Sequence, residues 1–143
     1  MIGPVHELSD DQAAERARQA VGVAATIPAN TWRVIRLDRP GEAYYLVILG
    51  DDQAPIGVAA IKADTGDVMG RAHLSGTQPH LVIDAPRASQ IAKISNASAE
   101  LVWQPCQASR SPLYPLWRVT DGERSVFVDQ QEKCWDRLAF RSA

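Results

Sequence analysis

The chain has 143 residues, 45% hydrophobic and 22% charged, with a formal net charge of −2 and a mean hydropathy of −0.20. That composition is globular rather than disordered, and without a basic excess nothing draws the chain onto nucleic-acid phosphates. No run approaches the roughly 18 apolar residues of a membrane span.

The first element is announced by Ser9-Asp10-Asp11-Gln12. Ser9 can cap the first free amides, Gln12 completes a capping box, and the two aspartates suit the positive end of the helix dipole. A helix is predicted over 9–24, with Ala13, Ala14, Ala17, Ala20, Val21 and Ala24 at helical spacing, so that it can lie close against a sheet. After Pro28-Ala29-Asn30, read as a breaker, strands are predicted at 32–37, 43–49, 56–63 and 67–74. Gly41, Gly50-Asp51-Asp52 and Asp64-Thr65-Gly66-Asp67 punctuate them, the last suiting a type I turn with Gly66 at positive φ.

The pattern then begins again. Ile83-Asp84-Ala85-Pro86-Arg87-Ala88 repeats the arrangement of residues 8–13, with Asp84 as N-cap and Pro86 tolerated in the first turn. This second helix is predicted to reach about Ile94. Residues 101–103 stand where Trp32-Arg33-Val34 stood, 116–119 answer 44–47, and Val126-Phe127-Val128-Asp129 answer 60–64. The offset shrinks from 75 (Ser9 to Asp84) to 71 (Trp32 to Trp103) to 65 (Asp64 to Asp129), and each change falls in a connection, where diverged repeats lose residues. Asp121-Gly122 signals a two-residue hairpin. The predicted fold is α+β: two tandem units, each a helix plus a four-stranded antiparallel sheet, spanning 1–78 and 79–143. Joined near 76–80, they would share a core as one compact structural domain.

These segments resemble PepSY-like domains, which place strands of the form Tyr-Tyr-x-Val and Val-x-Val-Asp-x-x-Gly-x-Val after a short helix. Here the pattern reads Tyr44-Tyr45-Leu46-Val47 with Ile61-Lys62-Ala63-Asp64-Thr65-Gly66-Asp67-Val68, then Pro115-Leu116-Trp117-Arg118-Val119 with Val126-Phe127-Val128-Asp129. The second copy departs from it where Gly66 is answered by Gln131 or Glu132. The tandem layout is also similar to that of the beta-lactamase inhibitory proteins. The resemblance implies a PepSY-like or cystatin-like binding module, extracytoplasmic or regulatory and peptidase-inhibitor-like, and brings no catalytic residues.

The residues themselves favour a non-enzymatic protein- or peptide-binding module, acting through an exposed sheet face or the 109–111 loop within the stretch 106–114. There Ser109, Arg110 and Ser111 form a polar tip beside Trp103, Tyr114 and Trp117, and Arg, Tyr and Trp supply most interface hot spots. The competing reading is a small ligand carrier or enzyme using a pocket between helix and sheet. Its chemistry would draw on Cys106 or Cys134 as nucleophile with His73 or His80 as base. No motif calls for a cofactor: phosphate-binding glycine loops and the GxSxG elbow are absent, and His6, His73 and His80 lack metal-ligand spacing. In a meander Cys106 lies near the first strand of its unit and Cys134 in the fourth, too far apart for a disulfide, so two free thiols are predicted. Self-association through an edge strand stays open. The opening residues show neither the basic nor the apolar region of a secretory signal, so the chain as given is expected in the cytoplasm, or outside it if a trimmed mature form.

Overall fold

The computed structural model describes residues 6–138. The fold is α+β, with two helices and eight mostly antiparallel strands in the order α1 (Asp10–Val21), β1 (Ala29–Arg36), β2 (Ala43–Asp51), β3 (Ala54–Lys62), β4 (Val68–His73), α2 (Ala85–Ala92), β5 (Ser98–Trp103), β6 (Leu116–Thr120), β7 (Ser125–Val128) and β8 (Cys134–Trp135). Two compact units divide the chain: the first ends at Arg33 and resumes over Gly41–His80, and the second takes Val34–Pro40 and everything from Leu81. The boundary falls inside β1.

In the first unit the predicted capping box forms: Ser9 Oγ accepts from Gln12 N (3.1 Å) and Gln12 Oε1 accepts from Ser9 N (2.8 Å). The helix stops at Val21 rather than 24 because Gly22 adopts φ 85°, a left-handed C-cap free of Cβ strain, and its N–H reaches the Arg18 carbonyl. Ala13, Ala14, Ala17 and Val21 pack on Tyr45, Val47, Leu49, Ala59, Ile61 and Ala63. The approach is close enough that a Cβ at Gly57 would stand 2.8 Å from Val21 Cγ1. The strands pair in the order β4-β3-β2-β1, with Tyr45 opposite Ile61 and Val47 opposite Ala59. Their alternate neighbours Tyr44, Leu46, Ile48, Val58 and Ala60 are buried too, so β2 and β3 are covered on both faces. Ala29-Asn30, expected to break the chain, instead open β1. Asp64 Oδ1 accepts from Thr65 N (2.8 Å), Thr65 Oγ1 accepts from Asp67 N (3.2 Å), and Gly66 takes φ 79°, the turn chemistry anticipated for this stretch.

In the second unit Asp84 caps α2, its Oδ1 accepting from Arg87 N at 2.9 Å with proline in the first turn, and α2 packs on β5, β6 and β7. The helix ends two residues early, at Ala92, because Lys93 takes the left-handed cap position at φ 58°. A Cβ there costs about 1 kcal/mol, so Lys93→Gly is expected to stabilise the chain by roughly 0.5–1 kcal/mol. A rise in the urea midpoint at unchanged slope would register it; an unchanged or lower midpoint would refute it.

The sheet of this unit departs from the predicted all-antiparallel set. The end of β1 pairs parallel with β5, Ile35 opposite Val102 and Arg36 opposite Trp103, and β5-β6-β7-β8 follow antiparallel. The β6–β7 turn is also shifted by one residue. Asp121 N donates to the Arg124 carbonyl (3.3 Å), leaving Gly122 and Glu123 as the central pair, Gly122 at φ 99°. Asp121 Oδ1 accepts from the Arg124 and Glu123 amides (2.9 Å each), which holds its carboxyl below the usual aspartate range. Both cysteines are free, Cys106 buried and Cys134 exposed, with β6 and β7 between β8 and the strand that leads to Cys106.

Candidate functional site

The six residues singled out from the sequence separate into buried core, a staple and a tip. Trp103 and Trp117 belong to the core, only 4% and 5% exposed, on strands whose neighbouring Leu101, Val102, Leu116 and Val119 are buried as well. Trp103 Nε1 donates to Ser109 Oγ at 3.3 Å, and the Arg36 guanidinium stands 5.1 Å from the Trp103 ring centroid. Trp117 Nε1 donates to the Ile83 carbonyl at 3.1 Å. Neither indole presents a surface that a partner could touch.

Ser109 is the staple. Only 7% exposed, its hydroxyl accepts the Trp103 N–H and lies 2.6 Å from the Tyr114 carbonyl and 3.0 Å from that of Ser111. The Ser109 carbonyl in turn accepts from Cys106 N at 3.1 Å. Ser111 closes the other side, its Oγ accepting from Leu113 N (3.2 Å) and its carbonyl from Tyr114 N (3.0 Å). Arg110 and Tyr114 form the exposed tip. Arg110 makes no hydrogen bond or ion pair among the described residues, and Tyr114 is 48% exposed.

The tip borders an open depression of about 300 Å³ whose far wall is the Asp129-Gln130-Gln131 turn. Those three residues were legible only as a turn; their place in the site depends on β7 lying beside β6. Asp129 is 5% exposed and its carboxylate is occupied: Oδ1 accepts from Gln131 N (2.9 Å) and Lys133 N (3.0 Å), and Oδ2 from Trp135 Nε1 (3.0 Å). Gln130 is occupied as well, its Oε1 accepting from Val82 N (2.9 Å) and Ile83 N (3.3 Å) while Nε2 donates to the Pro115 carbonyl (3.4 Å). Glu132 completes the turn at φ 65°.

No family model, curated protein or solved structure matches this chain. What the site can do therefore rests on its own chemistry.

The residues proposed for catalysis are divided between the two units. Cys106 Sγ lies 3.6 Å from the Ser109 carbonyl and Cys134 Sγ 3.6 Å from that of Ile91, and all three histidines belong to the first unit. Among the described residues no group of three or more His, Cys, Asp and Glu side chains could hold a metal ion, and no helix is long and apolar enough to cross a membrane. A counterpart of the helix-to-sheet pocket is a depression of about 350 Å³ where the end of α1 meets β4. Arg71 Nη1, on its wall, is committed to the Ala20 carbonyl at 2.7 Å. An exposed sheet face is not offered by the middle of β2 and β3, where Tyr44 to Leu49 and Val58 to Ile61 are buried.

Proposed function

We propose that the chain is a non-enzymatic protein- or peptide-binding module, regulatory or peptidase-inhibitor-like in role, that meets its partner through the 109–111 loop. It would be built from two diverged PepSY-like or cystatin-like halves. The succession of a helix and four strands, twice, supports that ancestry, as do Ser9 and Asp84 at matching caps and Asp64 and Asp129 at matching turns.

The observation that carries the binding role is Arg110: an exposed guanidinium without an intramolecular partner among the described residues, held between two residues whose backbone is pinned. Burial of an Arg or Tyr anchor on association supplies much of the energy of a typical interface, and a loop already fixed in place loses little conformational freedom when it binds. A catalytic use of the same depression is disfavoured because its carboxylate, Asp129, already accepts three N–H bonds.

Arg110→Ala is expected to leave the fold intact, within about 0.5 kcal/mol as for other surface substitutions. A partner recovered by affinity capture with the wild-type chain should bind the variant at least tenfold more weakly, about 1.4 kcal/mol. Unchanged affinity would remove the loop from consideration.

A further inference from the structure

Resting on that reading, we infer that the depression between the 109–111 loop and the 129–131 turn is a receptor for a carboxylate carried by a peptide next to a bulky apolar residue. Three observations converge on this chemistry. The charge on offer is positive: Arg110 is exposed and unpaired among the described residues, while the single carboxylate of the lining, Asp129, is 5% exposed and held by three N–H donors. A guanidinium presents a fork of donors that matches the two oxygens of a carboxylate.

The wall is rigid. Ser109 and Gln130 each spend their polar atoms on internal bonds, so the cavity keeps its shape when empty and little order must be imposed on binding. Gln131, exposed at the rim, adds an amide that can donate to a carboxylate or to a peptide carbonyl.

An apolar group stands beside the cation. Tyr114, 48% exposed, lines the same depression as Arg110, and Gln130 fixes the segment that carries it by donating to the Pro115 carbonyl. A ligand seated there meets an aromatic ring next to a guanidinium, which suits an apolar residue beside an acid. The acid could be an Asp or Glu side chain or the free C-terminus of a chain, and the two sources share this chemistry.

Display selections on the full chain separate these sources. One random heptapeptide library is held internally within a carrier, and the other ends in a free C-terminus. Enrichment of Asp or Glu beside aromatic or aliphatic residues in the internal library assigns a side-chain acid; enrichment confined to the free-ended library assigns a terminal one. Enriched peptides, synthesised and measured by fluorescence anisotropy, should lose at least tenfold in affinity when the carboxylate becomes an amide, and equally with Arg110→Ala. Peptides that bind without any carboxylate, or that bind Arg110→Ala as tightly as wild type, overturn the carboxylate assignment and leave peptide binding standing. Enrichment from neither library overturns the assignment and the peptide-binding reading together.

Discussion

Trp117→Ala is expected to cost about 3–5 kcal/mol of stability, the usual penalty for emptying a buried aromatic site, against a total of about 5–15 kcal/mol for a domain. Trp117 lies between Leu101 and Val128 on neighbouring strands, both buried, so its removal opens a void across three strands at once. The indole N–H also holds the Ile83 carbonyl just ahead of the α2 cap. Trp117→Phe isolates that bond: most of the ring packing survives, and a loss of about 1–2 kcal/mol is expected from the bond alone. Urea unfolding of the three proteins reads both values, provided the slope stays constant. A Trp117→Ala protein as stable as wild type would contradict the packing described for β6. If the loss is found, a Trp117 variant that fails to bind a partner reports unfolding, so binding must be tested at Arg110.

The second large effect is expected at Asp38. Its carboxylate takes two bonds from Arg36, Nε at 2.9 Å and Nη2 at 2.7 Å, with the two side chains 9% and 15% exposed and Trp103 beneath the guanidinium. Asp38→Asn leaves that guanidinium buried opposite an amide that can no longer balance its charge. Breaking a buried pair from one side costs about 3 kcal/mol or somewhat less here, because Asp38 retains some solvent contact. Removing both charges, as in Arg36→Met with Asp38→Leu, should restore much of the loss.

Acid provides an independent check. The hydrogen bonds from Arg36 hold the Asp38 carboxyl below its ordinary value of 3.8. The stabilisation is therefore complete above the unfolded value and disappears as pH falls through the lower, folded one. Wild type should exceed Asp38→Asn in stability at pH 7, and the gap should narrow steadily below about pH 4. A gap that stays constant down to pH 2 would show that Asp38 contributes by shape, not charge.

Local signals in the sequence were legible where the chemistry was local. Ser9 with Gln12, Asp84 with Pro86, and Asp64-Thr65-Gly66 each act within a few residues, and each forms as read. The early end of α1 was written in Gly22, a signal outweighed by the run of alanines beyond it. The double burial of β2 had a signal too, since Tyr44 to Leu49 is continuously apolar and a strand wet on one face alternates. The parallel pairing of β1 with β5 had none. It joins residues 67 apart, Ile35 to Val102, and no turn composition marks such a contact. The candidate site divides along the same line. Arg110 and Tyr114 on the tip could be read as exposed loop residues, whereas the burial of Trp103, Trp117 and Ser109 and the arrival of Asp129 depend on which strands become neighbours.

The allocation of β1 to both units has a consequence for anyone dissecting this chain. A fragment beginning at Leu81 would lack Val34–Pro40, and with it the Arg36–Asp38 clasp over Trp103 and the strand that hydrogen-bonds β5. Such an excised piece would carry a bare β5 backbone ready to capture foreign strands, and aggregation or domain exchange would be its natural fate. Splicing a copy of residues 34–40 onto the excised piece is the rational route to an autonomous miniature.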